Sequence, residues 1–168
     1  MSEGPATARQ GYRGYIASRP VGGIRVAQSL QNLAVRDYAA RHGLTFLLSA
    51  TEYRMPNCYM VLEQVLDAAP RLDGIICFSL FMLPSRRERR ANIWHRILAA
   101  GCTLHGALEG IAVTDAADIR RVEDLLATAA MLGDGGGWAT AGQDRLSNHV
   151  DRGLAKQLIP ERGGGERA

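Results

Sequence analysis

No stretch of this chain is apolar for anything near the roughly 20 residues that a membrane-spanning helix needs; the longer runs, such as residues 75–78 and 80–83, are far too short. Residues 1–10 hold no apolar segment followed by a small-residue cleavage site, so no secretion signal is visible and a cytoplasmic setting is expected. Cysteine is scarce. Cys58, Cys77 and Cys102 are odd in number and contain no CxxC pair, which argues against a disulfide framework and against a zinc knuckle. Reduced thiols are expected, and no His, Cys, Asp or Glu cluster has metal-ligand spacing, so neither a metal nor a cofactor is expected. Lysine is almost missing: Lys156 is the sole one among 20 basic residues, and the net charge of +3 rests on arginine. A charge of that size does not by itself indicate nucleic-acid binding.

What is present suits one folded unit. A chain of 168 residues, 46% of them hydrophobic, can remove about two-thirds of its unfolded surface from water without a covalent or metal staple. Periodicity alternates between strand-like and helix-like segments. Residues 11–17 read as a strand, 27–42 as a helix with Leu30, Leu33, Ala34 and Tyr38 inward and Gly43 as its stop, and 44–50 as a buried strand. A helix follows at 59–69 with Leu62, Val65, Leu66 and Ala69 on one face, then a strand at 73–83. The series closes with a helix at 87–100 (Ile93, Ile97 and Leu98 inward), a strand at 102–108 and a helix at 118–132 (Val122, Leu125, Leu126 and Ala129 inward). Such alternation implies right-handed crossovers and an α/β fold of three layers around a mainly parallel, four-stranded sheet. Residues 1–10 are expected to lack order. The glycine-rich 133–168 is expected to be a linker and tail, mobile or docked on a partner.

In such a sheet ligands collect outside the carboxyl ends of the strands. The loops there carry most of the polar residues of the core segment: Ser18, Arg19, Gly22, Gly23 and Arg25 after the first strand; Glu52, Tyr53, Arg54, Asn57 and Cys58 after the second; Ser79, Ser85 and Arg86 after the third; Glu109 after the fourth. The first loop, with two glycines and an arginine ahead of a helix, can bind an anion, although its spacing is neither GxGxxG nor a P-loop. The same glycines could equally serve only the turn. Arg86, Arg87, Arg89 and Arg90 open the third helix, where the dipole disfavours cations unless a counter-anion is present. Glu52 is the candidate general base, or else a structural carboxylate paired with Arg19 or Arg54. Cys58, at a helix N-terminal edge, is a candidate nucleophile. His105 and Glu109, four apart, can form a His–carboxylate pair, whereas Cys77 and Cys102 read as core residues.

The strings GYRGYIASRP (11–20), LQNLAVRDYAARHGL (30–44), LLSATEYRMPNCYMVLEQ (47–64), FSLFMLP (78–84) and LHGALEG (104–110) resemble the sporadic carbohydrate cluster protein family. That resemblance implies a small bacterial protein encoded beside sugar-processing, surface-glycan or natural-product genes, without a defined reaction. The order of a first strand, the 31–44 segment, a third strand and the 107–130 segment is also similar to the catalytic domain of serine recombinases. There the nucleophile follows the first strand, and Ser18 is the matching position. The family's arginine two residues earlier is Ile16 here, and its Asp-Arg pair after the third strand is replaced by Phe81, Met82 and Leu83; no helix-turn-helix follows. Without several arginines around the attacked phosphate, strand cleavage lacks its electrostatic support. Shared architecture with altered chemistry is the resulting expectation.

Together these readings favour an enzyme acting on a small anionic, sugar-type or polar metabolite. Ser18, Arg19 and the Gly22-Gly23 turn would hold the anion, Glu52 would act as acid or base, and Tyr53, Asn57, Ser79 and Glu109 would orient hydroxyls. The alternatives are a non-catalytic binding or scaffolding partner of another enzyme encoded in the same cluster and a degenerate DNA-binding recombinase; a second copy of this chain, as a homo-oligomer, is a further candidate partner. Neither a membrane nor, in the favoured reading, nucleic acid is an expected partner.

Overall fold

The structure, a computed structural model, describes residues 8–135. Contacts divide the chain into a unit ending at Ala127 and a second beginning at Thr128; the first carries the sheet. Its elements run β1 (Tyr12–Ala17), α1 (Gln28–Arg41), β2 (Phe46–Glu52), α2 (Met60–Asp67), β3 (Gly74–Cys77), α3 (Arg87–Ala99), β4 (Thr103–Gly106), β5 (Ile111–Val113) and α4 (Ala116–Gly135). Short 3₁₀ turns occupy Ala69–Arg71 and Leu80–Met82. The sheet order is β2-β1-β3-β4-β5, with the first four strands parallel and β5 antiparallel to β4. The α/β architecture is the expected one, and the sheet gains a fifth strand. Ile111–Val113 offers only three residues after a turn, too few for alternation to register.

Right-handed crossovers place α1 on one face of this order and α2 and α3 on the other. The direction of chain progression reverses between β1 and β3, so the crevice at the carboxyl ends of these two strands is the topological switch point. Beneath it the core is continuous, with Ile75, Ile76, Leu104, Leu62, Leu66, Ile93 and Ile97 all buried, each worth about 1.5–3 kcal/mol of transfer free energy. The strand expected over 73–83 stops at Cys77. Ser79 ends it, its Oγ accepting from the Phe81 N–H at 3.1 Å and folding the chain into the Leu80–Met82 turn.

Helix α1 buries a different face from the one its leucines suggest. Gln31, Val35, Tyr38 and Ala39 point inward, while Leu30 and Leu33 are 55% and 63% exposed. The cause is the Gln31 amide, which accepts from the Ala17 N–H (3.0 Å) and donates to the carbonyls of Ala17 (2.8 Å) and Val26 (2.9 Å). Burying an amide that satisfies three backbone groups outweighs burying one more leucine, because each of those groups would otherwise lie unpaired in the interior. On α3, Ile93 and Ile97 are buried as expected, Trp94 joins them, and Leu98 stays half-exposed. Of the four residues expected inward on α4, Val122 is fully buried and the other three are partly so.

Two further clusters tie the layers. Arg90 donates to both carboxylate oxygens of Glu123 on α4 (2.8 and 2.7 Å) and to the carbonyls of Pro84 and Ser85, and Trp94 Nε1 adds a third bond to Glu123 (2.8 Å). The Arg90 guanidinium holds the Glu123 carboxyl below its usual range, and Glu123 in turn raises Arg90. Arg9 donates to the carbonyls of Leu72, Ala100 and Gly101, covering the C-terminal end of α3. Gln10 bonds Arg71 through its backbone N–H. Both residues fall in the segment expected to lack order. The expected linker starts at Gly133, which lies with the next two residues at the end of α4; residues 136–168 of the expected tail lie outside the described residues. No described helix is long and apolar enough to cross a membrane.

Candidate functional site

All four strand-end loops do converge at the carboxyl edge of the sheet, but most of their polar side chains bond to one another there. Glu52, the last residue of β2, is fully buried. One carboxylate oxygen accepts from the N–H groups of Tyr53 (3.0 Å) and Val61 (3.3 Å); the other accepts from Leu62 N–H (3.0 Å) and from Tyr15 Oη (3.1 Å). Val61 and Leu62 belong to the first turn of α2, whose N–H groups have no intrahelical partners. Tyr59 at the N-cap supplies no side-chain bond to them. Glu52 therefore does for α2, from a neighbouring strand, what an N-cap residue does, with the charge sign the helix dipole favours. Burial, reinforced by the adjacent carboxylate, pushes the Tyr15 phenol far above its usual range. The expected pairing of Glu52 with Arg19 or Arg54 does not occur; its partners are backbone N–H groups, a phenol and, at 3.8 Å, the Cys58 thiol.

Arg19 spans the switch point. Its Nη1 donates to the Cys58 carbonyl (2.5 Å), its Nη2 to the Met82 carbonyl (3.2 Å), and the guanidinium lies 4.5 Å from the centroid of the Tyr59 ring. It thus braces the β2–α2 and β3–α3 loops at the place where a ligand would otherwise enter. Ser18 Oγ accepts from Gln28 (2.8 Å) and its N–H donates to the Glu52 carbonyl. Gly22 and Gly23, expected to hold an anion ahead of α1, shape a turn. Both take positive φ (57° and 80°) in a two-residue hairpin closed by reciprocal bonds between Val21 and Ile24, a turn that demands glycine-like backbones. Arg25 is exposed just beyond it.

On the other side of the crevice, Ser79 Oγ donates to one oxygen of Glu109 (2.6 Å), and the other oxygen accepts from Leu80 N–H (3.0 Å). This clamp packs directly over Gly106, where an added Cβ would lie 2.5 Å from the Glu109 carboxylate and 2.6 Å from Leu80. The expected His105–Glu109 pair is replaced by two separate ones. Glu109 turns toward Ser79, while His105 faces α1, with Nδ1 3.1 Å from Tyr38 Oη and Nε2 3.0 Å from Thr103 Oγ1. Only 8% exposed and near His42, the imidazole is pulled down to about 4, burial being the larger cause. Cys77 and Cys102 are buried core thiols, the latter pushed up to about 11 by burial.

What remains open is a cleft beside this braced edge, between the approaches to α2 and α3. Its larger lobe, about 390 Å³, is lined by Asn57, Cys58, Glu63, Asn92 and Ile93 together with Tyr59, Pro84 and Arg89. A smaller lobe of about 160 Å³ shares Asn57, Tyr59, Pro84 and Arg89 and adds Ser85 and Arg86. Asn57 is the one described non-glycine residue with positive φ (56°), a conformation Asn tolerates better than other side chains. Three candidate residues from the sequence, Asn57, Cys58 and Arg86, meet here, whereas Tyr53 is exposed just outside the lining. Arg89 belongs to the arginine run expected to need a counter-anion, and Tyr59 carries no ligand signal in the sequence. Within that run Arg90 and, at 4.0 Å, Arg87 have a counter-anion in Glu123, while Arg86 and Arg89 have no carboxylate partner among the described residues. Among the described residues no group of three His, Cys, Asp or Glu side chains comes together to hold a metal ion.

No protein-family model matches the chain, and no curated protein matches it. Solved structures similar in fold include two recombinases. The N-terminal catalytic domain of TP901-1 integrase aligns with a TM-score of 0.53 at 12% identity, over 73% of this chain and 97% of that one. A resolvase family site-specific recombinase from Streptococcus pneumoniae aligns with a TM-score of 0.50 at 9% identity, over 87% of this chain and 97% of that one. The fold is resolvase-like. At such identity the likeness concerns architecture alone, since function resides in the site and not in the fold.

Proposed function

We propose that this chain is a resolvase-fold protein that binds a small anionic, hydroxyl-bearing metabolite in the cleft between α2 and α3, the carbohydrate or natural-product setting being the one its sequence strings suggest. The observation that carries this reading is the pair Arg86 and Arg89, two guanidiniums without a carboxylate partner among the described residues, on the wall of a concavity that also presents Asn57 and Tyr59. Guanidinium forks match carboxylate and phosphate geometry, and a cleft of this size falls within the range of small-ligand sites. If the ligand is turned over, the groups available to touch it are Cys58, Arg89 and Asn57. Glu52, Ser79 and Glu109 are better read as positioning residues, because their polar atoms are engaged by α2, by Leu80 and by each other.

A thermal-shift series with glucose 6-phosphate, a nucleotide sugar and glucuronate tests the reading, since a ligand that prefers the native state raises its melting temperature by mass action. At least one should raise the wild-type value, and the Arg86→Ala/Arg89→Ala double variant should lose that rise while melting within a few degrees of wild type without ligand. No shift with any of the three overturns the proposal. The recombinase-like alternative draws on the shared fold and on Arg86, Arg87 and Arg89 near one edge. It predicts retardation of random duplex DNA at low salt that weakens steeply as salt rises.

A further inference from the structure

The cleft has unlike ends. Arg86 and Ser85 line only the smaller lobe, Cys58, Glu63 and Asn92 only the larger, and Arg89 and Tyr59 stand between them. One end therefore offers cationic donors. The other offers the Asn92 carboxamide, the Cys58 side chain, whose thiol donates to Glu52 Oε1 at 3.8 Å, and the Glu63 carboxylate, whose Oε2 is bound by Arg96 at 2.5 Å and whose Oε1 has no such bond to Arg96. Ile93 and Pro84 are buried residues whose remaining surface lines the cleft and gives it an apolar wall. Resting on the anion-binding reading above, we infer that the ligand is a phosphomonoester of a sugar or polyol. Its phosphate sits between Arg86 and Arg89, its C–H face lies against Pro84 and Ile93, and its far hydroxyls bond Asn92 and Glu63. A bare anion would satisfy the small lobe and leave the large one to water. A neutral sugar would have no partner for the guanidiniums.

Cys58 is a built-in reporter of the hydroxyl end, because the other two cysteines are buried and it alone is partly exposed, in the lining of the larger lobe. The experiment measures both the melting temperature and the rate of Cys58 alkylation by N-ethylmaleimide, read by mass spectrometry, with inorganic phosphate, glucose or glucose 6-phosphate present. Phosphate should raise the melting temperature without slowing alkylation. Glucose 6-phosphate should bind about tenfold tighter, the worth of one or two added hydrogen bonds, and slow alkylation several-fold; glucose alone should do neither. Asn92→Ala should keep the phosphate response and lose both the extra affinity and the protection of Cys58. If glucose 6-phosphate and phosphate bind alike and neither protects Cys58, the sugar-phosphate inference falls while anion binding stands. If neither anion binds, the cleft reading falls with it.

Discussion

Two neighbouring regions at the carboxyl edge of the sheet both carry arginines among polar side chains and put them to opposite use. Around the switch point, Arg19, Glu52 and Glu109 bond backbone groups, and Ser79 and Glu109 bond each other, so the loops are braced across the crevice. A few residues away, Arg86, Arg89, Asn57 and Asn92 line a cleft and present polar groups to it. Position at a strand end is thus insufficient to mark a ligand contact. The deciding property is whether the hydrogen-bonding capacity of a side chain is already spent inside the protein.

That contrast can be broken most forcefully at Glu52. Glu52→Ala strips partners from Tyr15 and from the first turn of α2 at a fully buried position, so a loss of about 3–5 kcal/mol is expected. Urea unfolding followed by circular dichroism would show it; a loss under 1 kcal/mol would mean that Glu52 is not a brace. Next comes pH. The unfolded chain takes up a proton at His105 near the ordinary histidine value, whereas the folded chain resists until about 4. Stability is therefore complete above that ordinary value and falls as pH drops toward 4, by on the order of 2 kcal/mol. Unfolding free energies at pH 7 and pH 5 should differ in the wild type and differ much less in His105→Gln. Smaller still is Ser79→Ala, expected to cost about 1–2 kcal/mol by removing one bond to Glu109 and one from Phe81. Arg89→Ala, from the other region, should change stability by less than about 0.5 kcal/mol and act on ligand binding instead. A destabilisation as large as that of Ser79→Ala would place Arg89 among the braces and erase the contrast.

Much of this was legible beforehand. The alternation of segments led to the α/β fold, Gly43 and Gly101 follow the helices they were expected to stop, and the inward face of α2 is the one its spacing indicates. The helix α1 face was misread because a buried glutamine carries no hydrophobic signal, although three backbone bonds make it the inward residue. Candidate site residues were found by place and not by role. Nothing in the string around Glu52 shows that the N–H groups of Val61 and Leu62, nine and ten positions later, would close on it.

Local pattern in the chain determined which segments are strands and helices, and hence which loops share an edge, because backbone periodicity and apolar spacing are written within a few neighbouring residues. Only the tertiary structure decided which of the polar groups gathered there are spent and which face the cleft, because hydrogen-bond partners come from elements distant in the chain. Thirty-three residues separate Arg90 from Glu123, and no such partner lies between Arg89 and a carboxylate among the described residues. Packing, not spelling, distributes the work among otherwise similar arginines.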